Sequence, residues 1–386
     1  MLTSLAVVLL IFRLRRPQPS PPGAQEPSQR LPLEAGSRAG TLPIAGEAGI
    51  PSAPLPALLP TERQGGEDIL LFPPNASFAN SPTGGILGFD PDRAGFIAID
   101  AKGAVRDLTQ DRFFDVEGVR WSNDRQAAVL EHSNNTKTLY FFNTRQRVAL
   151  PSTWEELSFG PSASSIAFKN AGARSDLNWL ATADTKNGSI RIVFPLEDGA
   201  NRVHVNWSPD SGTVGFATIP RNGTTQDLYF ISQDGSLSAP SMIEGAFFQS
   251  QWSPDGKLIL SSTADPENLF RPRLWIALGE GPQRGVPQEL PIATTADQCT
   301  FLKKSPSIIC AVPDSPAPSG YGIDGPGDDW PHRVISVNLI TGMSTLLYSP
   351  RSPSALRKPV VTQDGKTLFV TNRTTSRLER IPLTNF

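Results

Sequence analysis

Two aspartates occupy matching settings, Asp210 in VNWSPDSGTVGF (205–216) and Asp255 in SQWSPDGKLIL (250–260). Placed together, two such carboxylates could work as general acid and base. Their immediate neighbours assign them another task. Ser-Pro-Asp-Gly is a turn sequence: Pro pre-sets φ, Asp folds back onto its own backbone, and Gly relieves strain at the end. Both aspartates therefore read as turn residues. Trp207 and Trp252, just ahead of them, read as core. The three histidines, His132, His204 and His332, lie far apart, with no His-x-x-x-His spacing and no Gly-x-Ser-x-Gly elbow anywhere. GYGIDG at 320–325 matches Gly-x-Gly-x-x-Gly but sits between prolines with no helix to follow, so it is no dinucleotide site. What remains is an acidic segment with aromatics, Tyr321, Asp324, Asp328, Asp329 and Trp330, and beside it in pattern Phe270, Arg271 and Arg273. Carboxylates with an aromatic could hold a cation, a sugar or a basic peptide, although the spacing is not that of an EF-hand.

The elements that carry these residues repeat. An apolar residue, a turn and an alternating run recur around Asn80, Trp121, Phe159, Trp207, Trp252, Phe301 and Val361. Each copy continues with another strand-like run, such as KTLYFFN, DLYFISQ or RVISVNL. A tight turn and, in most copies, a fourth run follow. Four antiparallel strands per copy at this period mark a β-propeller blade. The fold class is therefore all-β: a seven-bladed β-propeller of four-stranded antiparallel blades. The seventh copy stops after three strands, whereas EDILLFP at 67–73 is an orphan run ahead of the first. This N-terminal strand is expected to complete the last blade and close the ring, leaving no open edge. The alternative is six blades, with the copy at 301 or 361 as an insertion.

Trp-Ser-Pro-Asp-Gly before an alternating strand resembles the repeat of TolB-like and other WD-like bacterial propellers. The segments QCTFLKKSPSIICAVP and GDDWPHRVISVNLITG resemble uncharacterised envelope propellers of candidate-phylum bacteria. The resemblance covers roughly 67–386 and implies a fold, since propellers host unrelated activities.

The front of the chain is different material. Residues 2–12 are apolar and RLRR follows at once. Eleven residues are too few to span a bilayer, which takes about 20. Residues 1–16 read as the end of a membrane anchor, or alternatively as a degenerate signal segment. Residues 17–66 hold eleven prolines and no aromatic residue, while 30 of the chain's 31 aromatics lie at or beyond Phe72. Such a stretch builds no core and reads as an extended, disordered linker ahead of a propeller domain at 67–386. A net charge of −2 gives no electrostatic footprint for nucleic acid. Cys299 and Cys310 fall directly opposite one another if Phe301 faces Ile308 across a hairpin. That distance suits a disulfide and an oxidising compartment; two buried thiols packing as small apolar groups are the alternative.

Long loops on a rigid scaffold concentrate binding. In this pattern the long loops are 263–273 and 313–333, both joining a second to a third strand. The favoured expectation is a membrane-tethered, extracytoplasmic, monomeric propeller without cofactor. It would present that loop face to a protein or glycan of the cell envelope. The other is a carbohydrate-active enzyme, a glycan lyase or hydrolase, working in an acidic central channel.

Overall fold

The computed structural model describes residues 67–71 as backbone, and 77–172, 174–210, 212–303, 305–316, 319–321 and 330–383 in full. The expected anchor at 1–16 and linker at 17–66 lie outside these residues. Seven four-stranded antiparallel sheets are present. Blade 1 begins with Ser77–Asn80, blade 2 with Val116–Trp121, blade 3 with Trp154–Phe159 and blade 4 with Val203–Val205. Blades 5, 6 and 7 begin with Ala246–Trp252, Cys299–Phe301 and Leu356–Val361. Six of the seven repeat anchors are the last residue of these innermost strands. Trp207 lies two residues beyond its strand, in the turn. Among the described residues helix is confined to three short 3-10 turns.

Closure follows the expected route. Glu67–Leu71 pairs antiparallel with Arg377–Pro382, setting Glu67 opposite Arg380 and Leu71 opposite Arg377. The seventh sheet thus takes one strand from the front of the chain and three from its end. Alternating strand directions put the first-to-second and third-to-fourth turns on one face and the second-to-third loops on the other. Glu67 and Pro382 both lie on the turn face. One connection is longer than expected, 279–287 in blade 5. There Arg284 lays its guanidinium 4.5 Å over the Phe230 ring of blade 4.

Each blade is buried on both sides, which explains its near-continuous apolar strands. Ile308 and Cys310 pack toward blade 5 in one cluster, whereas Ile309 and Ala311 pack toward blade 7 in another. Successive side chains point to opposite faces of a strand, so one strand feeds two cores. There are seven such clusters, one between each neighbouring pair of blades around the ring.

The recurring turn is a hydrogen-bonded device. In blades 2, 5 and 7 the hydroxyl of Ser122, Ser253 or Thr362 donates to the carboxylate two residues on, at 2.7, 2.6 and 2.6 Å. The same oxygens accept the N–H five residues on, at 3.0, 2.9 and 3.1 Å. Ser208 and Asp210 repeat the arrangement in blade 4. Asp210 and Asp255 are therefore turn residues. Blades are also tied through these turns. Asp124 accepts the Ala163 N–H of blade 3 at 3.0 Å, and Arg125 donates to the carbonyl and side chain of Asn80 in blade 1, at 3.1 and 2.7 Å. Trp207 and Trp252 are buried, and the Trp252 indole donates to the Asn206 carbonyl of blade 4 at 3.1 Å.

Cys299 pairs with Cys310 in register, and the two sulfurs are bonded, with Cα atoms 4.0 Å apart.

Candidate functional site

The second-to-third loops of blades 5 and 6 meet on one face. The blade 5 loop is wound tightly around Asp265. Its carboxylate accepts the Asn268 N–H at 2.8 Å and its carbonyl the Phe270 N–H at 2.7 Å. This winding forces Leu269 and Phe270 into the left-handed region, each at φ 54°, which costs a side-chain-bearing residue roughly 1–2 kcal/mol. Both are nonetheless turned to solvent, 52% and 37% exposed. From blade 5's innermost strand comes Phe247, also left-handed at φ 57° and 54% exposed. It sits at a register shift between Ala246 and Gln249. Its ring meets Phe270 edge-on at 6.2 Å. The blade 6 loop is pinned to this group: Ser319 Oγ and the Gly320 N–H donate to the Leu269 carbonyl at 2.8 and 3.0 Å.

Three bulky apolar residues in strained backbone thus form an exposed aromatic pair with a leucine beside it. Such strain persists only where the surroundings over-determine it, and it clusters at binding sites.

The residues singled out in the sequence take different places around this patch. Phe270 is in it. Arg271 follows, partly buried. Arg273 is a brace: it forks onto Glu289 at 2.9 and 2.7 Å, reaches Glu244 of blade 4, and lies 4.8 Å over the Trp275 ring. Its pKa is raised, first by the hydrogen bond it donates to Glu289 and also by Glu244. Tyr321 is fully buried, its hydroxyl hydrogen-bonded to His332 Nε2, so it props the blade 6 loop from inside. Trp330 is half-buried, and its indole nitrogen is enclosed with no hydrogen-bond partner among the described residues. Asp324, Asp328 and Asp329 lie outside the described residues. Asp314, at the base of the same loop, has its pKa raised by burial, with Arg333 opposing.

Phe247 and Leu269 were not legible as site residues. The signal for Phe247 was the Phe247-Phe248 doublet opening an inner strand. Neighbours on a strand point opposite ways, so two adjacent rings cannot share one core. Here Phe248 is buried and Phe247 is not.

At the centre of the ring is a cavity of about 730 Å³, lined by the seven anchor residues and their neighbours. Its charged lining is Arg120, Arg125, Lys303 and Lys358 against Asp124 and Asp297. The expected carboxylate wall is therefore absent among the described residues. Asp124 is engaged by Ser122, Gln126 and Ala163, and Asp297 accepts from Thr295 at 2.5 Å. The described His, Cys, Asp and Glu residues form no group of three that could hold a metal ion.

No family model matches the sequence, and no curated protein matches it either. Solved structures do. Hydrazine synthase of Kuenenia stuttgartiensis is similar at 14% identity, with a TM-score of 0.52 over 84% of this chain and 99% of that one. The tricorn protease is similar at 12% identity, with a TM-score of 0.50 over 83% of this chain and 34% of that one. An oligogalacturonate lyase in complex with manganese gives 12% identity and a TM-score of 0.49 over 81% and 92%. At such identities the likeness is one of fold alone.

Proposed function

We propose that this protein is a non-catalytic binding module, an extracytoplasmic propeller of TolB-like kind tethered to a membrane by its N-terminal segment. Its second-to-third loop face captures a protein or glycan of the cell envelope. The observation that carries this reading is the exposed group Phe247, Leu269 and Phe270, held in left-handed backbone and locked to the neighbouring loop through Ser319 and Gly320. Aromatic side chains on a preorganised support bind at low entropic cost. The disulfide Cys299–Cys310 supports the compartment, because such bonds persist where the surroundings oxidise.

The test replaces Phe247 and Phe270 by serine and, in a second variant, Asp328, Asp329 and Trp330 by alanine. Melting temperature and retention of solubilised envelope material are both measured. Retention lost in the first variant at an unchanged melting temperature supports the face. Retention equal to that of the unaltered chain in both variants would sink it.

A further inference from the structure

The central cavity has a sided wall. Cationic side chains come from blades 6, 7 and 2, namely Lys303, Lys358, and Arg120 with Arg125, and they outnumber the two lining carboxylates, Asp124 and Asp297, which lie on the same side. Blades 3, 4 and 5 contribute neutral polar groups instead, Ser158, Asn206, Ser250 and Gln251, with Trp207 and Trp252 among them.

The cations are not equally committed. Arg125 is spent on Asn80 and on the Ser122 carbonyl, and Arg120 is paired with Glu131 at 2.9 Å. Among the described residues Lys303 reaches the Gln363 side-chain oxygen alone, at 3.1 Å once that amide is turned to face it. The Lys358 ammonium has no hydrogen-bond or ion-pair partner among the described residues, and both lysines are exposed.

Two features of the chain put these lysines there. Lys303 occupies the second position after the blade anchor, where other copies carry Pro82, Asn123, Pro209, Pro254 or Gln363 around the same cavity. Lys358 sits in a β-bulge between Arg357 and Val360, at φ 47°, with its N–H diverted to the Gln298 side chain at 3.1 Å. Bulges re-aim side chains and are common beside functional sites. The bulge lies near the loop-face mouth and Lys303 near the turn-face mouth. From Lys358 to Gln363, the neighbour of Lys303, extended chain rises roughly 16 Å.

We propose that this cavity is a second binding site, separate from the loop face, for an elongated organic polyanion that runs along the channel and places one carboxylate or phosphate group at Lys303 and another at Lys358. Its volume is within the range of small-molecule sites, roughly 300–1,000 Å³. The neutral wall opposite supplies amides and hydroxyls for the rest of the ligand.

The experiment is calorimetric titration of the full chain at low salt with two probes long enough to span both mouths, a linear polyphosphate and an oligoglutamate of like length. Binding of at least one is expected, and the probe bound tells whether phosphate or carboxylate is preferred. Lys303→Glu and Lys358→Glu should each weaken it tenfold or more at unchanged melting temperature. Lys366→Glu, on an exposed turn outside the cavity lining, should leave it unchanged, as should the Phe247 and Phe270 substitutions. The site is overturned if neither probe binds at millimolar concentration, if the Lys303→Glu, Lys358→Glu double variant binds normally, or if Lys366→Glu weakens binding as much as the cavity variants do.

Discussion

Ser253 makes four hydrogen bonds, to Asp255, Leu258 and Gly256, which makes the turn hydroxyl worth more than an ordinary surface serine. It donates to Asp255 and accepts from Leu258, while its N–H closes the hairpin onto the Leu258 carbonyl at 2.9 Å. Ser253→Ala leaves a partly buried N–H without its acceptor and should cost about 1–2 kcal/mol, read from the denaturation midpoint; no change would make the turn chemistry ornamental. A different residue, His204, governs a pH response. Burial lowers its pKa from 6.5, Glu156 opposes that, and Lys169 adds to it. The unfolded chain therefore takes this proton at a higher pH than the folded one. The stability it contributes is present above pH 6.5 and is lost as pH falls toward the folded value. The melting temperature should drop between pH 7.5 and 5.5, and His204→Leu should shrink that drop. An identical drop in the variant would assign the response to other groups.

Innermost strands share a distortion with consequences beyond any one blade. Register shifts interrupt those of blades 2, 3, 5 and 7, and they leave Glu156, Phe247 and Lys358 in left-handed backbone. One repeated bulge thus supplies an interblade acceptor, an exposed ring and the exposed Lys358 ammonium. Glu156 accepts the Val205 N–H of blade 4 at 3.0 Å and pairs with buried Lys169. Two further predictions belong to elements. Deleting 67–71 exposes the long edge of Arg377–Pro382 and should lower the melting temperature by many degrees, whereas deleting 17–60 should leave it unchanged. Equal melting of all three proteins would refute the closing strand. Reducing Cys299–Cys310 releases a short loop, worth about 2–3 kcal/mol by the chain-entropy account; an unchanged denaturation midpoint under reductant would show that the interblade core alone holds the hairpin.

For the molecule as a whole, closure is a matter of adjacency and not of chain order. Pro382 and Glu67 end neighbouring antiparallel strands on the same face, the geometry that short hairpin turns join elsewhere in the ring. A permuted chain beginning at Ser77, with 67–71 attached after 383 through a short turn, should fold with the same far-ultraviolet spectrum and melt within a few degrees of the parent. Failure to fold would mean that the 72–76 connection, and not the pairing alone, directs closure. The ring also keeps its two candidate sites apart, one at the centre and one on the loops of blades 5 and 6, so that substitutions in one should leave the other unmoved.

The amino-acid sequence by itself determined the turn role of Asp210 and Asp255, and it favoured seven blades over six and a Cys299–Cys310 bridge over two buried thiols. These are local matters: turn chemistry and a two-residue side-chain period are written within each copy of some forty residues. It also singled out the two long loops and Phe270. Which residues of those loops face outward was decided only by the tertiary structure. Tyr321 went inside to meet His332, Arg273 went to Glu289 and Glu244, and Phe247 came out through a bulge. Each outcome depends on a partner in another strand or blade, far away in sequence. The character of the central cavity was likewise undetermined, because its wall is assembled from a few residues of each of seven copies. No local pattern records whether Lys303 and Lys358 will share a space with Arg120.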